Sequence, residues 1–147
     1  LVGNYEKDLD PLMSETETAI RSFDDIMAVG PKYGDDLLGY YAASDCFVFP
    51  SYREGFPNTV MEAGAMDLPS IVTDINGSRE IIVDGENGII VPSKDTDALY
   101  DAMKRMVEDT TARERMAGNA RKMIESRFEQ GFVKQCLLDN YEEILKA

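Results

Sequence analysis

Four short, mostly apolar runs punctuate the chain at residues 26–29, 46–49, 70–73 and 89–92, and each is closed by Gly, Pro or Asp. They are too short for helices and carry apolar side chains at consecutive positions, which predicts strands buried on both faces. Leu1-Val2-Gly3 reads as the tail of one more strand, so the chain looks cut from something longer. Between the runs, apolar residues recur at spacings of three and four, the pattern of helices with one buried stripe. Ser14 with Glu17 forms a capping-box pattern before a short helix carrying Ala19, Ile20 and Phe23, and Asp10-Pro11-Leu12 is the connector leading to it. Residues 36–43 predict a helix presenting Leu37, Leu38 and Tyr41. Pro57 suits the first position of another helix, which runs to about Met66 and stops at Asp67-Leu68-Pro69. Ser78 is expected to cap a short helix holding Ile81 and Ile82, and residues 84–88 turn the chain. After Pro92 everything reads as helix. Asp95 caps a stripe of Leu99, Met103, Met106 and Val107. Met116, Ala120, Met123, Ile124 and Phe128 line a second stripe, and Phe132, Val133, Cys136, Leu137, Ile144 and Leu145 a third. All three stripes are expected to face the core.

Buried strands alternating with helices predict an α/β fold, a Rossmann-like parallel sheet with helices on both faces and a helical C-terminal tail. In such sheets ligands lie at the carboxyl ends of the strands. The loops there are Gly30-Pro31-Lys32, residues 51–57, residues 74–79 and residues 92–95. A length of 147 residues fits one domain, spanning residues 1–147. A net charge of −13 argues against nucleic acid as a partner. The same charge opposes an anionic ligand, although local backbone dipoles act inside the roughly 8–10 Å over which salt screens a distant surface. Histidine is absent, which removes the usual general base and the commonest zinc ligand, and no metal or cofactor is expected. Cys46 and Cys136 both fall in apolar patterns and read as core thiols, which fits a reducing, cytoplasmic setting.

Residues 51–62 carry the chemistry. Ser51-Tyr52-Arg53-Glu54-Gly55-Phe56-Pro57-Asn58-Thr59-Val60-Met61-Glu62 runs from a strand end through a loop into a helix. A junction of that kind aims bare N–H groups and the positive helix end at one spot, so an anion is welcome there. Glu54 on the loop and Glu62 in the first helical turns flank that spot, eight residues apart. Carboxylates are acceptors for sugar hydroxyls, and a phosphate between two hydroxyl-bearing groups describes a nucleotide sugar. Spacing alone leaves a plainer reading open, because the helix dipole favours acids in a first turn and Pro and Gly punctuate loops everywhere. Asp45 and Asp74 read as turn or cap residues. Arg53 either pairs with Glu54 or points to solvent, and Arg79 either reaches the cleft or does the same.

Several spaced motifs, in order, resemble the C-terminal domain of GT-B glycosyltransferases of family 4. They are Gly39-Tyr40-Tyr41-Ala42-Ala43-Ser44-Asp45, Phe47-Val48-Phe49-Pro50-Ser51, Glu54-Gly55-Phe56-Pro57 and Glu62-Ala63, followed by Ser78-Arg79-Glu80-Ile81-Ile82, Asp84-Gly85-Glu86-Asn87-Gly88 and Val91-Pro92. The segments Leu1-Val2-Gly3 and Asp10-Pro11-Leu12 fit upstream, and the flavour is that of bacterial enzymes building capsule, lipopolysaccharide O-antigen or other surface polysaccharide. The resemblance implies the truncated C-terminal half of a GT-B fold, a nucleotide-sugar-binding domain incomplete at its N-terminus. It implies transfer of a sugar from a nucleotide-diphosphate donor with retention and without metal. Glu54 would be catalytic, taking donor-sugar hydroxyls beside an oxocarbenium-like centre. Gly55, Phe56, Pro57 and Asn58 would line sugar and phosphate, Thr59 would meet the diphosphate, and Glu62 would take the ribose hydroxyls. Val29, Gly30 and Lys32 would receive the base, and Arg79 would face the cleft.

The pattern also departs from the family. The upstream Arg and Lys pair that clamps the phosphates has no counterpart here, and Asn76-Gly77-Ser78-Arg79-Glu80 replaces a Gly-Gly-x-Pro-Glu loop. A saccharide or lipid-linked acceptor would be held by a missing N-terminal half, so the fragment is expected to be inactive alone. In the parent enzyme it would work in the cytoplasm, at the inner face of the membrane. An absent central strand would leave a sheet edge that invites self-association. Two other readings stay open, a GT-B nucleotide-sugar epimerase and a non-catalytic nucleotide-binding module, since a fold does not fix its chemistry.

Overall fold

A computed structural model describes residues 1–4 and 11–146, so Asp10 of the expected connector lies outside the described residues. The chain divides into two units, Leu1–Tyr40 and Tyr41–Ala147.

In the first unit, helix α1 (Ser14–Ser22) precedes most of α2 (Gly34–Ala42), whose last residues enter the second unit. The capping box does not form. Met13 is the N-cap, and Ser14 joins the first turn with its hydroxyl donating to Glu15 at 3.2 Å. Residues 1–3 and 26–29 do run side by side. The Val29 amide donates to the Leu1 carbonyl at 3.0 Å and the Gly3 amide to the Gly30 carbonyl at 3.1 Å. Neither segment is a strand, however, because Gly30 turns left-handed at φ +71° and the pairing stops there.

The second unit holds the parallel sheet. Strands β1 (Phe47–Phe49), β2 (Ser70–Thr73) and β3 (Gly88–Val91) lie in the order β1-β2-β3, with Phe47 opposite Ser70 and Ser70 opposite Gly88. Helix α3 (Asn58–Ala65) connects β1 to β2, and α4 (Ser78–Ile81) connects β2 to β3. Alternate residues of each strand point to opposite faces. Val48, Ile71, Ile89 and Val91 pack with Ala102 and Met106 of α5 (Thr96–Glu108) and with Ala112 and Met116 of α6 (Thr110–Phe128). Phe47, Phe49, Val72 and Ile90 pack with Val60 of α3, Ile81 of α4 and Ile124 and Phe128 of α6. Helix α6 therefore serves both cores. The Asp95 and Asp109 carboxylates cap α5 and α6, accepting from the Ala98 and Ala112 amides at 2.9 Å each. The Asn87 side chain, 1% exposed, joins the end of α4 to the turn before β3 through the Ile81 carbonyl and the Val83 amide.

Some expectations fail. Gly77, not Ser78, is the N-cap of α4, and the Ser78 hydroxyl is buried inside the first turn. Pro57 is the N-cap of α3 and not its first helical residue. Met103 and Val107 of the α5 stripe are exposed. Helix α7 (Gln130–Lys146) buries none of its residues; Leu145 is 85% exposed, and Cys136 is an exposed thiol where a core thiol was expected. Helix α6 already covers the sheet, so α7 touches α6 and has no sheet face of its own.

Candidate functional site

The loop leaving β1 is tied to β2 at its first residue. The Thr73 hydroxyl, at the carboxyl end of β2, donates to the Ser51 carbonyl. Ser51 in turn donates from its own hydroxyl to Glu54 Oε1 at 3.0 Å, so the half-buried Glu54 carboxylate has a fixed partner. Gly55 and Phe56 follow at the surface, and the Phe56 ring meets Phe128 of α6 edge-on at 5.5 Å. The turn before α4 closes on this loop from the other side. Gly77 holds φ +77°, and a Cβ there would collide with the Gly55 carbonyl oxygen. Only glycine lets the two backbones approach so closely.

Buried Pro57 then starts α3. As N-cap it has no side-chain acceptor, so no side-chain cap covers the first amides of the helix. Asn58 and Thr59 are exposed, whereas Val60 is fully buried and anchors the turn. One turn on, Glu62 is exposed, and its Oε2 accepts from the Tyr41 hydroxyl at 3.3 Å. Tyr41 is 5% exposed, and its ring meets Phe47 edge-on at 5.8 Å. Burial, then the charge of Glu62 and the hydrogen bond to it, push the Tyr41 phenol up to about 12. It therefore stays protonated and donating at neutral pH.

Arg79 is exposed and held within its own loop, 3.3 Å from Asp74 and 3.0 Å from the Asn76 side-chain oxygen. Asp74 is thus an ion-pair partner, and Asp45 is another, 3.7 Å from Arg113. Arg53 is exposed. In the first unit, the Val29 amide and the Gly30 carbonyl are already used by Leu1 and Gly3, and the Lys32 ammonium lies over the Tyr40 ring, 5.7 Å from its centre. The second unit thus gathers Glu54, Gly55, Phe56, Pro57, Asn58, Thr59 and Glu62 on one loop and helix, with Arg79 on the neighbouring loop. Val29, Gly30 and Lys32 belong to the first unit.

Ser51, Thr73, Gly77 and Tyr41 escaped sequence reading. For Tyr41 a signal existed, since a tyrosine in a buried stripe needs a partner for its hydroxyl.

Two cavities lie near the sheet. One of about 160 Å³, lined by Pro50, Tyr52, Thr73, Val91 and Lys94, joins the loops after all three strands. It is smaller than the roughly 300–1,000 Å³ usual for small-molecule sites. The other, of about 520 Å³, lies between Cys46, Val48 and Ile71 on one side and Met103 and Met106 on the other. Its apolar lining offers little to a polar ligand. Among the described residues no cluster suits a metal ion, and no helix is long and apolar enough to cross a membrane.

Comparison with known proteins completes the picture. The family described as glycosyl transferases group 1 matches residues 3–123. The capsular polysaccharide biosynthesis glycosyltransferase CapM of Staphylococcus aureus is 34% identical over 115 residues, covering 78% of this chain and 30% of that protein. The N,N'-diacetylbacillosaminyl-diphospho-undecaprenol alpha-1,3-N-acetylgalactosaminyltransferase of Campylobacter jejuni is 30% identical over 111 residues, covering 76% of this chain and 29% of that protein. Among solved structures, Anabaena Alr3699/HepE in complex with UDP superimposes with a TM-score of 0.84 at 21% identity, covering 97% of this chain and 40% of the other, a likeness of fold. The chain spans under half the length of each of these proteins.

Proposed function

The chain belongs to the group 1 glycosyl transferases, and from that premise we propose that it is the donor-binding half of a retaining glycosyltransferase of polysaccharide biosynthesis. Its donor would be a nucleoside diphosphate sugar and its acceptor a saccharide or a lipid-linked sugar. The observation that carries this reading is the uncapped start of α3 between two glutamates, each held by a hydroxyl of its own, Ser51 for Glu54 and Tyr41 for Glu62.

Each part has a task in that reaction. The departing diphosphate carries the developing negative charge, and preorganised N–H groups stabilise it without reorganising. The amides of Asn58 and Thr59 meet that need at the positive end of α3. Glu54, held in place by the Ser51 hydroxyl, takes donor-sugar hydroxyls and favours positive charge at the anomeric carbon. Gly55, Phe56 and Pro57 line the sugar, and Glu62 takes the ribose hydroxyls. Arg79 supplies a cation from the neighbouring loop; leaving an exposed partner such as Asp74 costs at most about 1 kcal/mol. The chain spans about 30% of the length of the CapM relative, and the chain alone is expected to transfer no sugar. The names of the relatives support a saccharide or undecaprenyl-linked acceptor; in the parent enzyme the work would lie at the cytoplasmic membrane face. As an edge strand, β1 offers backbone groups through which isolated copies would associate.

Calorimetric titration with UDP, GDP and ADP tests the reading. One of the three binds, and Glu62→Ala weakens it about ten-fold or more, the loss expected for hydrogen bonds to a charged acceptor. Binding that ignores Glu62 would remove it from the ribose role, and no binding of any of the three would remove the donor site.

A further inference from the structure

We propose that Tyr41 is a positioning residue for the donor site, a buried donor that fixes one oxygen of Glu62 and leaves the other to the ligand; the proposal rests on the donor-site reading above. Glu62 lies on an exposed helix face, where an unpartnered glutamate would sample several rotamers. Tyr41 does not have that freedom. It is 5% exposed, whereas its neighbour Tyr40 is 37% exposed, and its ring is wedged edge-on against Phe47 of β1. Its hydroxyl reaches two groups of α3, the Glu62 carboxylate at 3.3 Å and the Thr59 carbonyl at 3.5 Å. These belong to residues three apart, which share a helix face. One hydroxyl thus meets both Thr59, in the first turn of α3, and Glu62, one turn on.

The hydrogen-bond capacity of the site favours this role. An ionised carboxylate offers about four lone-pair positions. Tyr41 occupies one of them on Oε2, and a vicinal diol can take the two on Oε1. The Tyr41 hydroxyl donates toward Oε2, which orients the carboxylate and leaves Oε1 open to ligand hydroxyls. The raised pKa of Tyr41 agrees, since after burial the charge of Glu62 and the hydrogen bond to it push the phenol up.

A double-mutant cycle with UDP on the full chain tests the proposal, with wild type, Tyr41→Phe, Glu62→Gln and the double variant. Tyr41→Phe keeps the ring on Phe47 and removes only the donor. It should weaken UDP roughly five- to ten-fold, in line with the net worth of one ordinary hydrogen bond, while the double variant binds no more weakly than Glu62→Gln alone. A purely structural tyrosine would instead lower affinity by the same factor in both backgrounds, which would overturn the proposal, as would unchanged UDP binding by Tyr41→Phe. Should Tyr41→Phe not fold, the ζ-carbon resonance of Tyr41 decides without ligand. Glu62→Gln should make Tyr41 begin to ionise at lower pH than in wild type, and an unmoved titration would overturn the contact. If wild-type chain binds no UDP but the Tyr41 titration responds to Glu62→Gln, the contact stands, the donor reading fails and the positioning role falls with it.

Discussion

Glu54 and Glu62 have opposite surroundings, and the difference bears on how each would work. Glu54 is half-buried and held by a serine of its own loop, so it moves with that loop; Glu62 is exposed but tied to a tyrosine from another helix. The spacing of the two acids was legible because the strand end, Gly55 and Pro57 mark a strand-to-helix junction by themselves. Their hydroxyl partners were not. Ser51 reads as loop punctuation, and Tyr41 reads as one more apolar residue of a stripe. The two cysteines teach the same lesson with a sharper test. Burial pushes the Cys46 thiol up to about 11, so at pH 8 it is almost wholly protonated, and the thiolate is the reactive form. Cys136 is exposed on α7. A thiol reagent at pH 8 should modify Cys136 first and leave Cys46 untouched until the chain is denatured, as peptide mapping will show. Equal rates at both positions would contradict the burial of Cys46.

Among the elements, α6 connects the two cores, since Ala112 and Met116 serve one sheet face and Ile124 and Phe128 the other. Its start depends on Asp109, whose carboxylate accepts from the Ala112 amide. Asp109→Ala should cost about 1 kcal/mol. For a unit of roughly 100 residues that lowers the Tm by roughly 4–8 °C, and an unchanged Tm by circular dichroism would show that the cap is dispensable. Residues 46–49, 70–73 and 89–92 were readable as parallel strands because burial on both faces leaves apolar runs bounded by turns. Residues 26–29 have the same composition but form no ladder, because pairing needs a neighbour that continues beyond Gly30. The stripe on α7 failed for a related reason. Periodicity shows which face of a helix could be buried, and it cannot show whether a partner surface exists.

For the molecule as a whole, the acidic charge and the anionic donor pull in opposite directions. A net charge of −13 lowers the local concentration of any diphosphate. In the proposed site, backbone dipoles at close range and Arg79 would offset it. Arg79 makes one exposed ion pair, to Asp74, and one hydrogen bond, to Asn76, within the 74–79 loop, which packs on Gly55 through Gly77. Family membership was legible from motifs spread along most of the chain, and the match over residues 3–123 agrees with it. The geometry that would grip a donor was less so, since it depends on which hydroxyl meets which carboxylate. The most direct test follows the amide resonances of the chain as UDP is added. The account predicts that the largest shifts fall on Gly55, Phe56, Asn58 and Thr59, at the mouth of α3. Shifts centred instead on the apolar cavity between Cys46 and Met103, or no shifts at saturating nucleotide, would contradict it.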